Sequence, residues 1–135
     1  LENYEAAAEK DFVLLIGDPA IDFQRAPHAH EIFDLGSAWF ELTRLPFVFA
    51  VWALRRGVEN STLRRKLNGA KQFGLATLES IIQARTEFDE NFRRNYFQRH
   101  IQYDLSENEK RAIAKFCELL RKYKIGEVFE PKFVD

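Results

Sequence analysis

Five apolar residues in a row, Phe12-Val13-Leu14-Leu15-Ile16, stand out of a mixed N-terminal stretch and are closed by Gly17 and Asp18. A continuous apolar run without alternation fits a strand covered on both faces, as in a parallel sheet. The Gly-Asp-Pro that closes it reads as a strand-to-helix turn, with Asp18 as cap and Pro19 at the first helical position. Ahead of it, the Ala- and Glu-rich Leu1 to Lys10 suits the end of a helix. Arg25 to His30 has no periodicity and reads as an exposed loop, after which Glu31 to Leu35 resumes an extended pattern that Gly36 stops. Ser37 opens a short helix carrying Ala38, Trp39, Phe40 and Leu42; it gives way at Thr43, because Pro46 disfavours helical backbone at Leu45. Phe47 to Trp52 is the second strong strand.

Beyond Gly57 the period changes. Leu63, Leu67, Ala70, Gly74, Leu78, Ile81 and Ile82 recur at spacings of three and four, with Asn60 as a cap, and fit one long helix or two broken near Gly74. Phe88, Phe92, Tyr96 and Phe97 mark a second amphipathic segment that Asp89 starts and that ends near His100. Ser106 followed by Glu109 is a capping box, so a third helix begins there. Ile113, Phe116, Cys117, Leu120 and Tyr123 line its inner face, and Lys122, Lys124 and Gly126 mark its end. These elements predict an α/β chain, strands early and three helices late.

A length of 135 residues suits one domain with a sizeable core, and 13 Phe residues put an unusual share of that core into aromatic rings. Twenty basic against 21 acidic residues leave no global field to draw the chain to nucleic acid or to an anionic membrane. The cations Arg55, Arg56, Arg64, Arg65, Lys66 and Lys71, and later Arg93, Arg94 and Arg99, are the one feature reminiscent of a nucleic-acid binder, and read better as solvated helix faces paired with acids. The longest apolar stretch, Leu45 to Leu54, contains a proline and falls short of the roughly 20 residues that span a bilayer. A single cysteine, Cys117, and no signal-peptide pattern point to a cytoplasmic setting. The chain starts at Leu1 and contains no Met, so it is expected to be the remainder of something longer.

Candidate chemistry is sparse. Gly17 and Asp18 stand where ligands of open α/β sheets bind, beyond the carboxyl end of a strand and at a helix N-terminus, although the pair also serves as a plain turn and cap. His28 and His30 alternate, but with no cysteine or second pair nearby they read as a surface loop rather than a metal site. His100, beside Arg99 on a polar edge, reads as solvated, and Cys117, among Phe116, Leu119 and Leu120, reads as core. No phosphate-binding glycine loop, zinc spacing or Ser-His-Asp signature is present in the sequence.

The stretch from Asp34-Leu35-Gly36-Ser37-Ala38-Trp39-Phe40 through Leu42-Thr43-Arg44-Leu45-Pro46-Phe47 to Val51-Trp52 closely resembles the signature of the MqnA family of chorismate dehydratases. In that family a strand ending in Ile-Gly-Asp and a small-residue helix come before it, like Ile16-Gly17-Asp18-Pro19-Ala20 here. A Tyr-Asp-Leu and a final helix come after, like Tyr103-Asp104-Leu105. The resemblance covers nearly the whole chain and implies that the N-terminal half of a family member, about twice this length, is missing here. Arg44 departs from it, since the family usually has Gly between Thr and Leu-Pro.

The resemblance implies the two-lobed fold of periplasmic binding proteins (type II), with residues 1–30 ending the second lobe and residues 31–135 supplying a crossing strand and the closing helices of the first. It implies loss of water from chorismate to give 3-[(1-carboxyvinyl)oxy]benzoate, the entry to the futalosine route of menaquinone synthesis, with neither metal nor organic cofactor. Substrate would be bound at Gly17 and Asp18 on one wall and at Thr43, Leu45, Pro46 and Phe47 at the turn into the crossing strand. For the second group the plainer reading is that Thr43 ends a helix and Phe47 packs the sheet. The catalytic base is not legible here, the expected partner is a small-molecule substrate, and a homodimer is left open. A binding protein of the same fold that holds a small carboxylate without reacting is the alternative, since fold alone does not fix activity; an isolated half is expected to be inactive.

Overall fold

Where the sequence supplies a local cap, a helix forms. The computed structural model describes residues 10–57 and 59–134, so the helix end expected over Leu1 to Lys10 lies, Lys10 apart, outside the described residues. Among the described residues six α-helices follow in order: α1 Asp18–Arg25, α2 Leu35–Thr43, α3 Ser61–Ala76, α4 Leu78–Ala84, α5 Glu90–Asn95, which runs on into a π turn over Tyr96–His100, and α6 Glu107–Lys122. The backbone divides into two units, Leu1–Ala38 and Trp39–Asp135, with the boundary inside α2.

The second unit contains the long helices. At α6 the capping box is formed: the Ser106 amide donates to the Glu109 carboxylate at 3.0 Å and the Asn108 amide to the Ser106 hydroxyl at 3.3 Å. Its far end is a Schellman closure, in which Ile125 N–H reaches the Leu120 carbonyl at 2.9 Å and Lys124 N–H the Arg121 carbonyl at 3.1 Å. Lys124 takes the left-handed position at φ 56, two residues before the Gly126 marked by sequence. Asp89 caps α5 by accepting from the Phe92 amide at 2.8 Å. Arg93 then ties α5 to α4, donating to the main-chain carbonyls of Ile82, Glu87 and Phe88. The break between α3 and α4 falls at Thr77 rather than Gly74, where the Thr77 hydroxyl shares the Phe73 carbonyl, at 2.8 Å, with the backbone amide of the same residue.

The expected α/β class, with its two-lobed sheet architecture, is overturned: among the described residues there is no strand, and the regular structure is all helical. Phe12 to Ile16 and Phe47 to Trp52 are irregular, and Glu31 to Asp34 leads directly into α2. The physical reason is that an apolar run encodes a wish for burial but not a partner. A strand exists only where a neighbouring backbone completes its ladder, and no described segment does so. The side chains stay correspondingly open, Phe12 at 94% and Phe49 at 79% exposure.

The expectation of a sizeable core is corrected in the same way. Among the described residues only Ile82 on α4 and Ala112 on α6 are fully buried. The rings do find one another, in a run Phe88, Phe92, Tyr96, Phe97 and in a cluster of Trp39, Phe47, Phe49 and Phe116, but they remain half-buried or exposed. Cys117 is half-buried with a free thiol.

The first unit is held by α1 and the loop after it. His28 stacks on Phe23 with centroids 4.8 Å apart, and His30 meets the same ring edge-on at 5.6 Å. His28 Nδ1 lies 2.9 Å from the His30 carbonyl and His30 Nε2 lies 3.0 Å from the Lys10 carbonyl, so both imidazoles are spent on loop structure.

Candidate functional site

The turn after α2 is bound twice to the helix it leaves. Thr43 donates its hydroxyl to the Trp39 carbonyl at 2.8 Å and accepts from the Leu45 amide at 3.2 Å. Trp39 Nε1 donates to the Pro46 carbonyl at 3.1 Å, so the indole holds the proline that ended the helix. Arg44 sits between these latches with φ 58, and its amide donates to the Phe40 carbonyl at 2.8 Å, the αL form of helix closure. A left-handed backbone is what glycine serves best, which explains why the resembling signature has Gly at this place. The start of α2 is set by Asp34, whose carboxylate accepts from the Ser37 amide at 2.6 Å; the helix therefore opens two residues before Ser37 and includes Gly36.

Beside this turn lies an apolar pocket of about 390 Å³, within the roughly 300–1,000 Å³ usual for small-molecule sites. Trp39, Phe47, Phe49 and Val51 form one side, and Ala112, Ile113 and Phe116 of α6 the other. The Trp39 and Phe47 rings meet edge-to-face at 5.6 Å, and Phe116 closes on them at 5.8 and 6.1 Å. Such walls suit the face of a ring. No lining side chain titrates, so proton transfer has to come from groups outside the lining.

Of the residues expected to bind substrate, Phe47 lines the pocket, and Thr43, Leu45 and Pro46 build the turn that leads into it. Gly17 and Asp18 belong to the first unit. There Gly17, at φ 65, is the cap of α1, and its carbonyl accepts from the Ala20 amide at 3.0 Å. Asp18 is the first helical residue, exposed and without a side-chain capping bond, which corrects the expectation that it caps with Pro19 first in the helix. Sequence reasoning read Ile113 and Phe116 as core-facing and missed them, with Trp39, as pocket walls. The signal for that was present only in the tertiary approach of α6 to the turn.

Several charged groups of the second unit are engaged with one another. Lys71 pairs with Asp104 at 2.7 Å, and Arg94 grips Glu79 and Glu90. The Arg94 hydrogen bonds hold the Glu79 carboxyl below its ordinary value against the opposing effect of desolvation. Arg56 reaches the Glu130 carbonyl, and Arg121 the Glu130 carboxylate at 2.5 Å. Tyr103 donates its hydroxyl to the Phe97 carbonyl at 3.1 Å, and burial, with a smaller contribution from Tyr96, raises its phenol. Among the described residues no group of three or more His, Cys, Asp or Glu converges as a metal site would require, and no helix is long and apolar enough to cross a membrane.

Comparison with known proteins places this arrangement in a family. A family model described as menaquinone biosynthesis matches residues 2–122. A chorismate dehydratase from Thermus thermophilus is 34% identical over 150 residues, an alignment covering 96% of this chain and 52% of the relative. The chain thus spans about half the length of that curated relative. No solved structure matches. A match that runs from the N-terminal segment through the Trp39 to Phe47 turn and all of α6 takes in both walls of the pocket, and the chain belongs to the menaquinone biosynthesis family.

Proposed function

We propose that the protein to which this chain belongs is a chorismate dehydratase, removing water from chorismate to give 3-[(1-carboxyvinyl)oxy]benzoate on the futalosine route to menaquinone. The observation that carries this reading is the 34% identity to the Thermus thermophilus enzyme along 96% of the chain. The chemistry is undemanding of catalytic groups. Loss of the ring hydroxyl and a ring proton leaves an aromatic ring, so the driving force is ample, and the protein has chiefly to orient the substrate and to stabilise charge.

In this reading the substrate ring lies against Trp39, Phe47 and Phe116, and Thr43, Leu45 and Pro46 fix the turn at its edge. Gly17 and Asp18 are proposed as a further substrate contact, Asp18 being an exposed carboxylate at a helix start. The reaction draws on no metal or organic cofactor, the enzyme works in the cytoplasm, where the free thiol of Cys117 is at home, and a homodimer is compatible with it.

The test is incubation of the intact gene product with chorismate, followed by mass detection. The expected result is a product lighter by one water. Binding without any such product would leave a carboxylate-binding protein instead, and neither binding nor product would remove the reading.

A further inference from the structure

We infer that the guanidinium of Arg44, in the turn that leads to the pocket residue Phe47, binds a carboxylate of the substrate, a role that rests on the dehydratase reading above. Arg44 holds φ 58, a conformation costly for any residue with a Cβ. Strain of this kind persists where the surroundings over-determine it, often beside a binding site. Phe88 and Lys124 share the left-handed backbone, but Phe88 is gripped at its carbonyl by Arg93 and Lys124 closes the Schellman turn of α6. Arg44 alone of the three stands in the turn that enters the pocket wall at Phe47.

The side chain is exposed and makes no ion pair among the described residues. Its guanidinium carbon lies 5.9 Å from the centre of the Phe40 ring, a contact that orients the planar fork while leaving its N–H donors open. The pocket itself offers a dianionic substrate a place for its ring and none for its charge, since the lining is apolar. Arg111 and Lys115, which flank the α6 wall, are engaged with Asn108 and Glu118. Arg44 is the cation nearest in sequence to Phe47, and its fork matches a carboxylate with two parallel hydrogen bonds.

The experiment is steady-state chorismate consumption by the intact gene product and its Arg44→Gln, Arg44→Lys and Arg44→Gly variants. Loss of a charge-assisted pair raises KM about tenfold in Arg44→Gln and Arg44→Gly with kcat within about twofold, and Arg44→Lys falls between. Added salt raises the wild-type KM more steeply than that of Arg44→Gln. Arg44→Gly relieves the backbone, so a folding defect does not mimic this result. A KM within about twofold of wild type in both neutral variants, with the wild type active, overturns the role of Arg44 and leaves the dehydratase reading standing. Should the wild type bind chorismate without turnover, calorimetry of the same variants decides the role by affinity; absence of binding removes both.

Discussion

Arg44 donates its amide to the Phe40 carbonyl at 2.8 Å while its guanidinium carbon stands 5.9 Å from the centre of that residue's ring. One residue thus closes α2 and covers the last exposed ring of the helix. Left-handed backbone costs a residue with a Cβ about 1 kcal/mol, and an exposed cation–π contact returns about 0.5–1 kcal/mol. Arg44→Ala keeps the strain and loses the contact, so it should be less stable than wild type by about 0.5 kcal/mol. Arg44→Gly should exceed Arg44→Ala by about 1 kcal/mol. Urea unfolding of the three proteins checks that order; equal stability of the alanine and glycine variants would mean that residue 44 is not left-handed in solution.

Trp39 and Trp52 are the two tryptophans of the chain, and they stand in different surroundings: Trp39 is half-buried and bonded to Pro46, whereas Trp52 is 63% exposed. Trp39→Phe leaves the Pro46 carbonyl without its donor and should cost about 1 kcal/mol. It should also shift the remaining emission to longer wavelength, while Trp52→Phe shifts it to shorter. A ring-bearing ligand in the pocket should quench Trp52→Phe and leave Trp39→Phe almost unchanged. Quenching of both alike would place the ligand elsewhere.

What was legible in the sequence was local. Ser106 with Glu109, and Asp89 before Phe92, specify helix starts through bonds that span three residues, and these are the bonds formed. Pro46 ended α2 by the steric rule that governs the residue before a proline. Phe12 to Ile16 and Phe47 to Trp52 were read as strands because continuous apolar runs accompany buried strands, but a ladder depends on a second backbone that the run itself does not encode. The pocket was half visible: Phe47 lies in the recognised turn, whereas Phe116 looked like any apolar position on a helix face. Arg44 was visible as a departure from a familiar signature, yet its left-handed backbone and its place over Phe40 are set by the folded turn and not by the local pattern.

Arg93 is the tie between α4 and α5. Its Nε donates to the Ile82 carbonyl at 3.0 Å and its Nη1 to those of Glu87 and Phe88, the latter at left-handed φ 61. A lysine has one ammonium at the end of a flexible stem and does not reproduce that fork. Arg93→Lys should therefore lower unfolding free energy by about 1.5–3 kcal/mol, the range for hydrogen bonds to a charged donor. Hydrogen exchange should show the added opening first at the amides of Arg85, bonded to the Ile81 carbonyl, and Ile82's own turn. Loss of protection spread evenly over α6 as well would show that Arg93 supports the unit as a whole rather than this corner.

The same corner carries the clearest dependence on pH. Arg94 forks onto Glu79 at 2.5 and 2.7 Å and reaches Glu90 at 2.8 Å, joining α4 to α5 across the surface. Those hydrogen bonds hold the Glu79 carboxyl below the ordinary value of 4.5. A carboxyl depressed in the folded state adds stability that is fully present above its unfolded value and is lost as pH falls through the folded one. Wild type should therefore be more stable than Glu79→Gln at neutral pH, and the gap should narrow as pH drops below 4.5 toward the folded value. Glu59, Glu87 and Glu109 are lowered as well, so both proteins lose stability in acid, and only their difference isolates Glu79. Because the pair is open to solvent, added salt should shrink that difference at neutral pH. Thermal melts of the two proteins between neutral and acid pH check this, and a gap that stays constant into acid would mean that the fork onto Glu79 does not form in solution.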